Sequence, residues 1–553
     1  MRLMTARWIL PGVLFAAVVL YFVGLGDSTI WDANETFYVN TPLQMLARGD
    51  YVVPMFNDEP RLNKPVLSYW MVAGLYHLFG VSVAVQRVGI AIGALLIIAC
   101  AYVLGHLLTV GLLEERRRTL AASPAVLAAA GLAVDPRIVM FGRRIFIDIW
   151  IAAFMALTLT FFAMSERFPE RRRIYLLLMY VSVGLGILTK GPVAALLPGL
   201  VFAVYLIVHR ELRRTTSMMI LPGILIVAAI VVPWYYQLYQ RDGWTYIQSF
   251  FIGENLGRFT SGIGQETRRP WYFYMPSLLG DFFPLSLFLV SAAMVWWKRR
   301  DRFQTLLWLW VAVIVLFFSL SHDKQDLYIL PIAPALAALA AFAIGRQDET
   351  PRVTRAVALT VGVLLAVLGA GILTLFGMSA RIYAIDGASV LGILALAGGL
   401  AAAALAARRR TILAVVAVLL SLLVIDWVLV LRVLPDFERY KPVAPLSEYL
   451  APRLRPGDRV VHFEVGFPSM VHYLQRRVDP YYSAEALVEA MRSPSRVYAV
   501  LPEGRYERLQ PELGATTCVL QRAQTFDVKL RDIVRRAPLP HVVLITNDCE
   551  GAR

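Results

Sequence analysis

Long apolar runs separated by short polar turns fill the chain as far as Leu434, and a mixed, partly alternating pattern replaces them afterwards. The first run extends from Trp8 to Leu25. Others lie near residues 86–110, 122–140, 147–165, 174–189, 191–208, 218–236, 274–295, 304–320, 327–344, 355–377, 387–406 and 411–433. Segments of this length suit crossing about 30 Å of hydrocarbon as helices, which predicts roughly thirteen spans. One further apolar stretch, Val66 to Leu78, is read as a helix lying along the membrane surface. Beyond the spans, short alternating runs (Arg459 to Phe463, Arg496 to Leu501, Val542 to Thr546) interleave with helical patterns at Ala484 to Met491 and Phe526 to Arg535. That tail reads as a small α/β domain.

Composition agrees with a membrane class. Of 553 residues, 58% are hydrophobic and 17% charged, too apolar for a water-soluble fold of this length. The net charge of +15 does not point to nucleic acid, because the basic residues fall in short clusters between apolar runs. With a cytoplasmic N-terminus and each run crossing once, the clusters at Arg116 to Arg118, Arg171 to Arg173, Arg210 to Arg214, Lys298 to Arg302, Arg346 to Arg355 and Arg408 to Arg410 all face the cytoplasm. Counting Val66 to Leu78 as a span would invert the first of these. Arg2 and Arg7 before the first run resemble a signal peptide, but no small-residue cleavage site follows, so a retained span is expected. An odd number of spans carries the tail outward. There Cys518 and Cys549 are compatible with a disulfide or with two buried thiols.

Polar chemistry concentrates in the outward loops. The first, from Gly26 to Pro65, contains Asp32, Asn34, Glu35 and Lys64. Asp32 or Glu35 taken singly is explained better by capping a surface helix that runs to Ala47 than by catalysis. Arg143, Arg144 and Asp148 form the second group, where a structural ion pair competes with a functional reading. Lys190 sits in the turn Leu188-Thr189-Lys190-Gly191-Pro192, where a lysine also snorkels to headgroups. A long loop from Gln237 to Met275 holds Glu254 and Arg258, and a last turn holds Lys324 and Tyr328, residue types that also serve as interface anchors. Jointly these loops hold many cations against the positive-inside tendency. Such cations need an anionic partner, and a lipid phosphate or pyrophosphate supplies one.

Trp31 to Tyr38, Gly49-Asp50, Asn57-Asp58-Glu59-Pro60, Lys64-Pro65 with Tyr69-Trp70, Asp148, Leu188 to Pro192, Pro233-Trp234-Tyr235, Glu254 to Phe259 and Lys324 to Pro331 stand in an order that resembles the protein O-mannosyltransferase-like glycosyltransferases. Bacterial members of that family are similar to the lipid A aminoarabinose transferase. The resemblance implies an all-α polytopic GT-C fold over residues 1–434, with surface helices in a first periplasmic loop over 26–80, and a periplasmic α/β domain over 435–553. It implies a multi-pass protein of the bacterial inner membrane that moves a sugar from a polyprenyl-phosphate (undecaprenyl-phosphate) donor to a lipid, glycan or protein acceptor, with membrane lipids as its surroundings and no nucleic acid. Carried over by motif, Lys64 and Tyr328 contact the donor phosphate, Lys324 and Arg258 lie nearby, Asp148 is the second outer-loop acid and Lys190 the lysine of its turn. Asn34, Glu254, Arg143 and Arg144 complete the expected substrate-binding set.

Two departures qualify the resemblance. Family members carry Asp-Glu with an arginine two positions on, where this chain has Asn34-Glu35 and Phe37. An amide does not take a proton at neutral pH, so the base is expected at Glu35, with Asp32 second. Asn63 and Asn255 stand where aminoarabinose transferases carry Glu and His, so a divalent metal, the one cofactor considered, is not expected there. The reading opposed to a transferase is a catalytically silent lipid-sugar binder or a flippase.

Overall fold

A computed structural model describes residues 2–32, 34–110, 122–257, 269–379, 384–514, 517–526, 535 and 537–549. Among these, nine helices are long and apolar enough to cross a membrane, and a tenth span results if the bent pair Trp271–Asp281 and Leu285–Arg299 is taken together. Three shorter apolar helices, Ile9–Leu20, Pro124–Ala133 and Val193–Val208, account for the remaining runs read from the sequence. The third run is broken: Asp135 accepts from the backbone N–H groups of Arg137 and Ile138 and starts a new helix at Pro136. The eighth run bends by 105°. Each break stands at a polar and proline-bearing step, Asp135-Pro136-Arg137 and Asp281 to Pro284, that is short enough to be smoothed over when hydropathy is averaged along the run. The Arg116 to Arg118 cluster lies outside the described residues.

Helices that pack closely do so through small residues. Between Pro351–Ser379 and Ala388–Ala407, a Cβ at Gly369 would come within 2.3 Å of the Leu396 nitrogen, so the backbones meet without side chains between them. The stretch from Val66 to Leu78 is found as a helix of 13 residues, Leu67–Phe79. It packs with Thr36–Arg48, whose chain reverses at Gly49 in a left-handed conformation (φ 65°). A two-stranded hairpin, β1 (Met55–Phe56) and β2 (Glu59–Pro60), joins the two helices.

The tail folds as a five-stranded sheet in the order β4-β3-β5-β7-β6, with β3 at Arg459–Phe463, β4 at Asp479–Tyr481, β5 at Val497–Pro502, β6 at Cys518–Gln524 and β7 at His541–Thr546. Strands β4, β3 and β5 are parallel, and β7 pairs antiparallel with both β5 and β6. Side chains alternate across it: Val461, Val497, Ala499 and Leu501 pack with Leu487 on one face, and Val460, Tyr498 and Val500 with Leu446 on the other. Cys518 and Cys549 form a disulfide with their Cα atoms 5.8 Å apart, which decides between the two sequence readings. Most of the helical pattern at Phe526 to Arg535 lies outside the described residues.

The sheet docks on the first loop. The Thr29 backbone N–H donates to Glu438 (2.8 Å), Ile30 N–H to the Tyr473 hydroxyl (3.0 Å), and Asn57 exchanges two hydrogen bonds with the Val478 backbone (2.8 and 2.9 Å). Arg477 pairs with Glu59 at 2.9 Å.

Candidate functional site

An amphipathic cavity of about 420 Å³ opens near the ends of several helices. Its walls are apolar and aromatic, among them Leu196, Leu197, Phe250, Phe251, Phe317 and Phe318; Lys64, Asp148, Lys190 and Tyr328 bring charge and hydroxyl to it. Four residues singled out from separate loops of the sequence therefore meet in one place. Asp148 stands in the first turn of Phe146–Arg167 and Lys190 at the last residue of its helix, where Gly191 (φ 97°) turns the chain. Lys190 Nζ bonds Asp148 Oδ1 and lies 5.1 Å from the centre of the Tyr328 ring, which packs against Phe318 at 4.9 Å. The Tyr246 hydroxyl holds the Lys64 carbonyl at 3.3 Å. Lys324 is buried next to this group and donates to the Ser321 carbonyl, and Ser321 and Asp323 also line the cavity.

The first-loop acids sit elsewhere and behave differently from each other. Glu35 is fully buried: its Oε1 meets Arg87 Nε at 2.6 Å, and its Oε2 meets Arg87 Nη2 at 2.9 Å and the Trp31 backbone N–H at 2.8 Å. Arg87 also donates to the carbonyls of Leu25 (2.6 Å), Ser28 (3.0 Å) and Thr29 (2.9 Å), so the pair knits the loop together. A carboxylate bound this way has no free route to an acceptor, and the expectation of Glu35 as base does not fit its geometry. Asp32 instead accepts the Ser469 N–H at 2.9 Å, at the junction with the sheet; burial raises its carboxyl to about 6 against the lowering effect of that bond. Asn34 is exposed.

Arg143 and Arg144 are not brought to the cavity either. Arg143 donates to the Leu20 and Val23 carbonyls, and the Arg144 guanidinium lies 4.7 Å from the Trp31 ring. Both line a separate cleft of about 20 Å³, room enough for a water but not for a phosphate. Arg258 and the Glu254 side chain lie outside the described residues. No cluster of three or more His, Cys, Asp or Glu suited to a metal occurs among the described residues.

Sequence reasoning missed Arg87 and Arg61. An arginine near the start of an apolar span is itself a signal, since such a charge requires a partner. Arg61 lies three positions before Lys64 and carries its guanidinium 3.4 Å from the Phe37 ring centre, with Nε donating to the Tyr69 hydroxyl at 3.2 Å. Tyr38 stacks between Tyr69 (5.5 Å) and Phe146 (5.6 Å). Burial pushes the Tyr38 hydroxyl well above its usual range; Tyr69 raises it further, Arg61 lowers it and Asp148 raises it, so this hydroxyl lies between the two charges.

Fold and cavity together define a polytopic membrane protein that encloses an amphipathic chamber lined by both lysines and carboxylates and carries an attached α/β domain. Residues 63–236 match the family described as dolichyl-phosphate-mannose-protein mannosyltransferase. Over 344 residues the chain is 28% identical to an undecaprenyl phosphate-alpha-4-amino-4-deoxy-L-arabinose arabinosyl transferase of Pseudomonas fluorescens, covering 60% of this chain and 57% of the relative. A Pseudomonas aeruginosa protein of the same description is 31% identical over 340 residues, with 60% and 59% covered. The match thus spans less than two thirds of these relatives' length. The crystal structure of ArnT from Cupriavidus metallidurans bound to undecaprenyl phosphate superposes with a TM-score of 0.75 at 22% identity, covering 98% of both chains. The whole chain therefore has the GT-C fold of that structure, and over part of its length it is similar to the dolichyl-phosphate-mannose-protein mannosyltransferase family and to the aminoarabinose transferases.

Proposed function

We propose that the chain is a membrane glycosyltransferase that moves a sugar from an undecaprenyl-phosphate donor to a lipid, glycan or protein acceptor on the periplasmic face. The observation that carries this reading is the chamber itself: two lysines meet two carboxylates, Asp148 and Asp323, and a tyrosine where the walls are otherwise mostly aromatic and aliphatic. Such a space suits one phosphate attached to a long apolar chain. The names of the relatives support the donor class. The Cys518–Cys549 disulfide supports an oxidising compartment for the sheet, hence a periplasmic side for the first loop it docks on, which supplies Lys64 to the chamber.

Asp148 is the proposed base: of the two acids that line the chamber, it is the one paired with Lys190, one of the proposed phosphate-holding cations. In the free protein Lys190 holds its carboxylate. A donor phosphate competes for Lys190 and Lys64, leaving Asp148 to accept the acceptor's hydroxyl proton as the sugar–phosphate bond breaks. The acceptor oxygen attacks the anomeric carbon in one displacement with inversion, the phosphate leaves on the lipid, and a covalent sugar–enzyme adduct would contradict the scheme. The test compares wild type with Asp148→Asn and Lys64→Ala. Asp148→Asn is expected to bind undecaprenyl phosphate normally while turnover falls by about 10²–10⁴, and Lys64→Ala to weaken binding. Unimpaired turnover in Asp148→Asn would remove it from the base role.

A further inference from the structure

The small cleft beside the first loop carries an imbalance of charge. Arg87, Arg143 and Arg144 line it with one acid among the described residues, Asp27, and Val430 and Leu434 help to close it. The three arginines are buried, at 2%, 5% and 6% exposure. Arg87 is matched by Glu35 at 2.6 Å. Arg143 donates to the Leu20 and Val23 carbonyls, which carry no net charge. Arg144 lies against the Trp31 ring, and its Nη1 is buried with no hydrogen-bond partner among the described residues. Lys441, 5.2 Å from the same ring, brings no spare acid, because Glu438 answers it at 2.6 Å. Three guanidiniums therefore meet two carboxylates, Glu35 and Asp27, which leaves one positive charge of the lining without a counter-charge. Burial, with Arg144 and Arg87 close by, pushes the Arg143 guanidinium down to about 10. A charge held out of water without compensation is strongly destabilising, and a water molecule accepts its hydrogen bond but returns no charge. The room of about 20 Å³ suits a body little larger than a water.

We propose that this cleft is a binding site for one halide ion, chloride above all, which takes the hydrogen bond of Arg144 Nη1 and balances the charge of Arg143 and Arg144. Asp27 in the same lining limits the site to a single negative charge, since a dianion would leave it net negative. The ion ties together the residues after the first helix, the start of Val83–Leu107, the turn before Phe146–Arg167 and the segment from Val430 to Leu434 that leads towards the sheet. It is separate from the chamber and does not depend on the transferase reading.

The experiment measures the melting temperature of the purified full chain in detergent, in sodium gluconate, chloride or bromide at one ionic strength, for wild type and for Arg144→Met, which removes the charge but keeps an unbranched apolar side chain. Wild type is expected to melt at least about 2 °C higher in chloride and in bromide than in gluconate, with an effect that saturates as halide rises. Arg144→Met should lose that dependence. Crystals of wild type grown in bromide give a second reading, with an anomalous peak expected within hydrogen-bonding reach of Arg144 Nη1. Equal melting of wild type in gluconate and chloride overturns the inference, as does a halide effect of full size in Arg144→Met. Should Arg144→Met fail to fold, the crystals decide: a water in the cleft and no bromide peak overturns the site.

Discussion

Glu35 and Arg87 bury two opposite charges at 0% and 2% exposure, and removing either partner leaves the other charge without compensation. Glu35→Gln is therefore expected to lower stability by about 3–5 kcal/mol, read as a fall in melting temperature, while protein that survives keeps wild-type turnover per folded molecule. A stable Glu35→Gln protein with abolished transfer would return Glu35 to the base role. The pairing was not legible in sequence because the partners stand 52 positions apart, one in a loop and one in an apolar span. Asp148 and Lys190 were legible as candidates because each stands beside a span end with an unusual charge. That they touch is a property of how two helices pack.

The elements of the tail could be read closely: Ala484–Met491 is the helix the pattern gave, and β3, β5 and β7 coincide with the alternating runs to within a residue or two. Strand β6 was not read, since its burial runs through intermediate positions without a buried face. The docking contacts were invisible too, because they join backbone groups to side chains more than 400 positions away, as in Asp32 with Ser469. At that junction the Asp32 carboxyl stands raised to about 6, with burial as the leading cause. The folded state thus favours its protonated form. Its stabilising contribution is complete below the unfolded value near 4 and is lost as pH rises through 6. Replacing Asp32 by Asn, which keeps an acceptor for Ser469, should leave stability unchanged near pH 4 and raise it relative to wild type above pH 6. Melting temperatures of both proteins across pH 4 to 8 measure this, and a gap that does not grow with pH would contradict the assignment.

At the scale of the molecule, the membrane helices and the first loop converge on one chamber, and the sheet docks on that loop. The membrane class followed from hydropathy, and thirteen apolar runs are found as helices, although two are broken at short proline-bearing steps that an average over the whole run smooths over. The chamber was foreseeable only as a set of scattered cations and acids; its volume and its exclusion of Arg143 and Arg144 depend on tertiary packing. The account's central claim is that this chamber transfers a sugar from a polyprenyl-phosphate donor with Asp148 taking the acceptor's proton. The most direct test follows radiolabelled sugar from an undecaprenyl-phosphate hexose into a membrane extract, catalysed by purified wild type, Asp148→Asn or Lys64→Ala. Transfer by wild type that falls at least about a hundredfold in both variants is the predicted result; binding of the donor by wild type without any transfer would contradict it and make the protein a lipid-sugar binder.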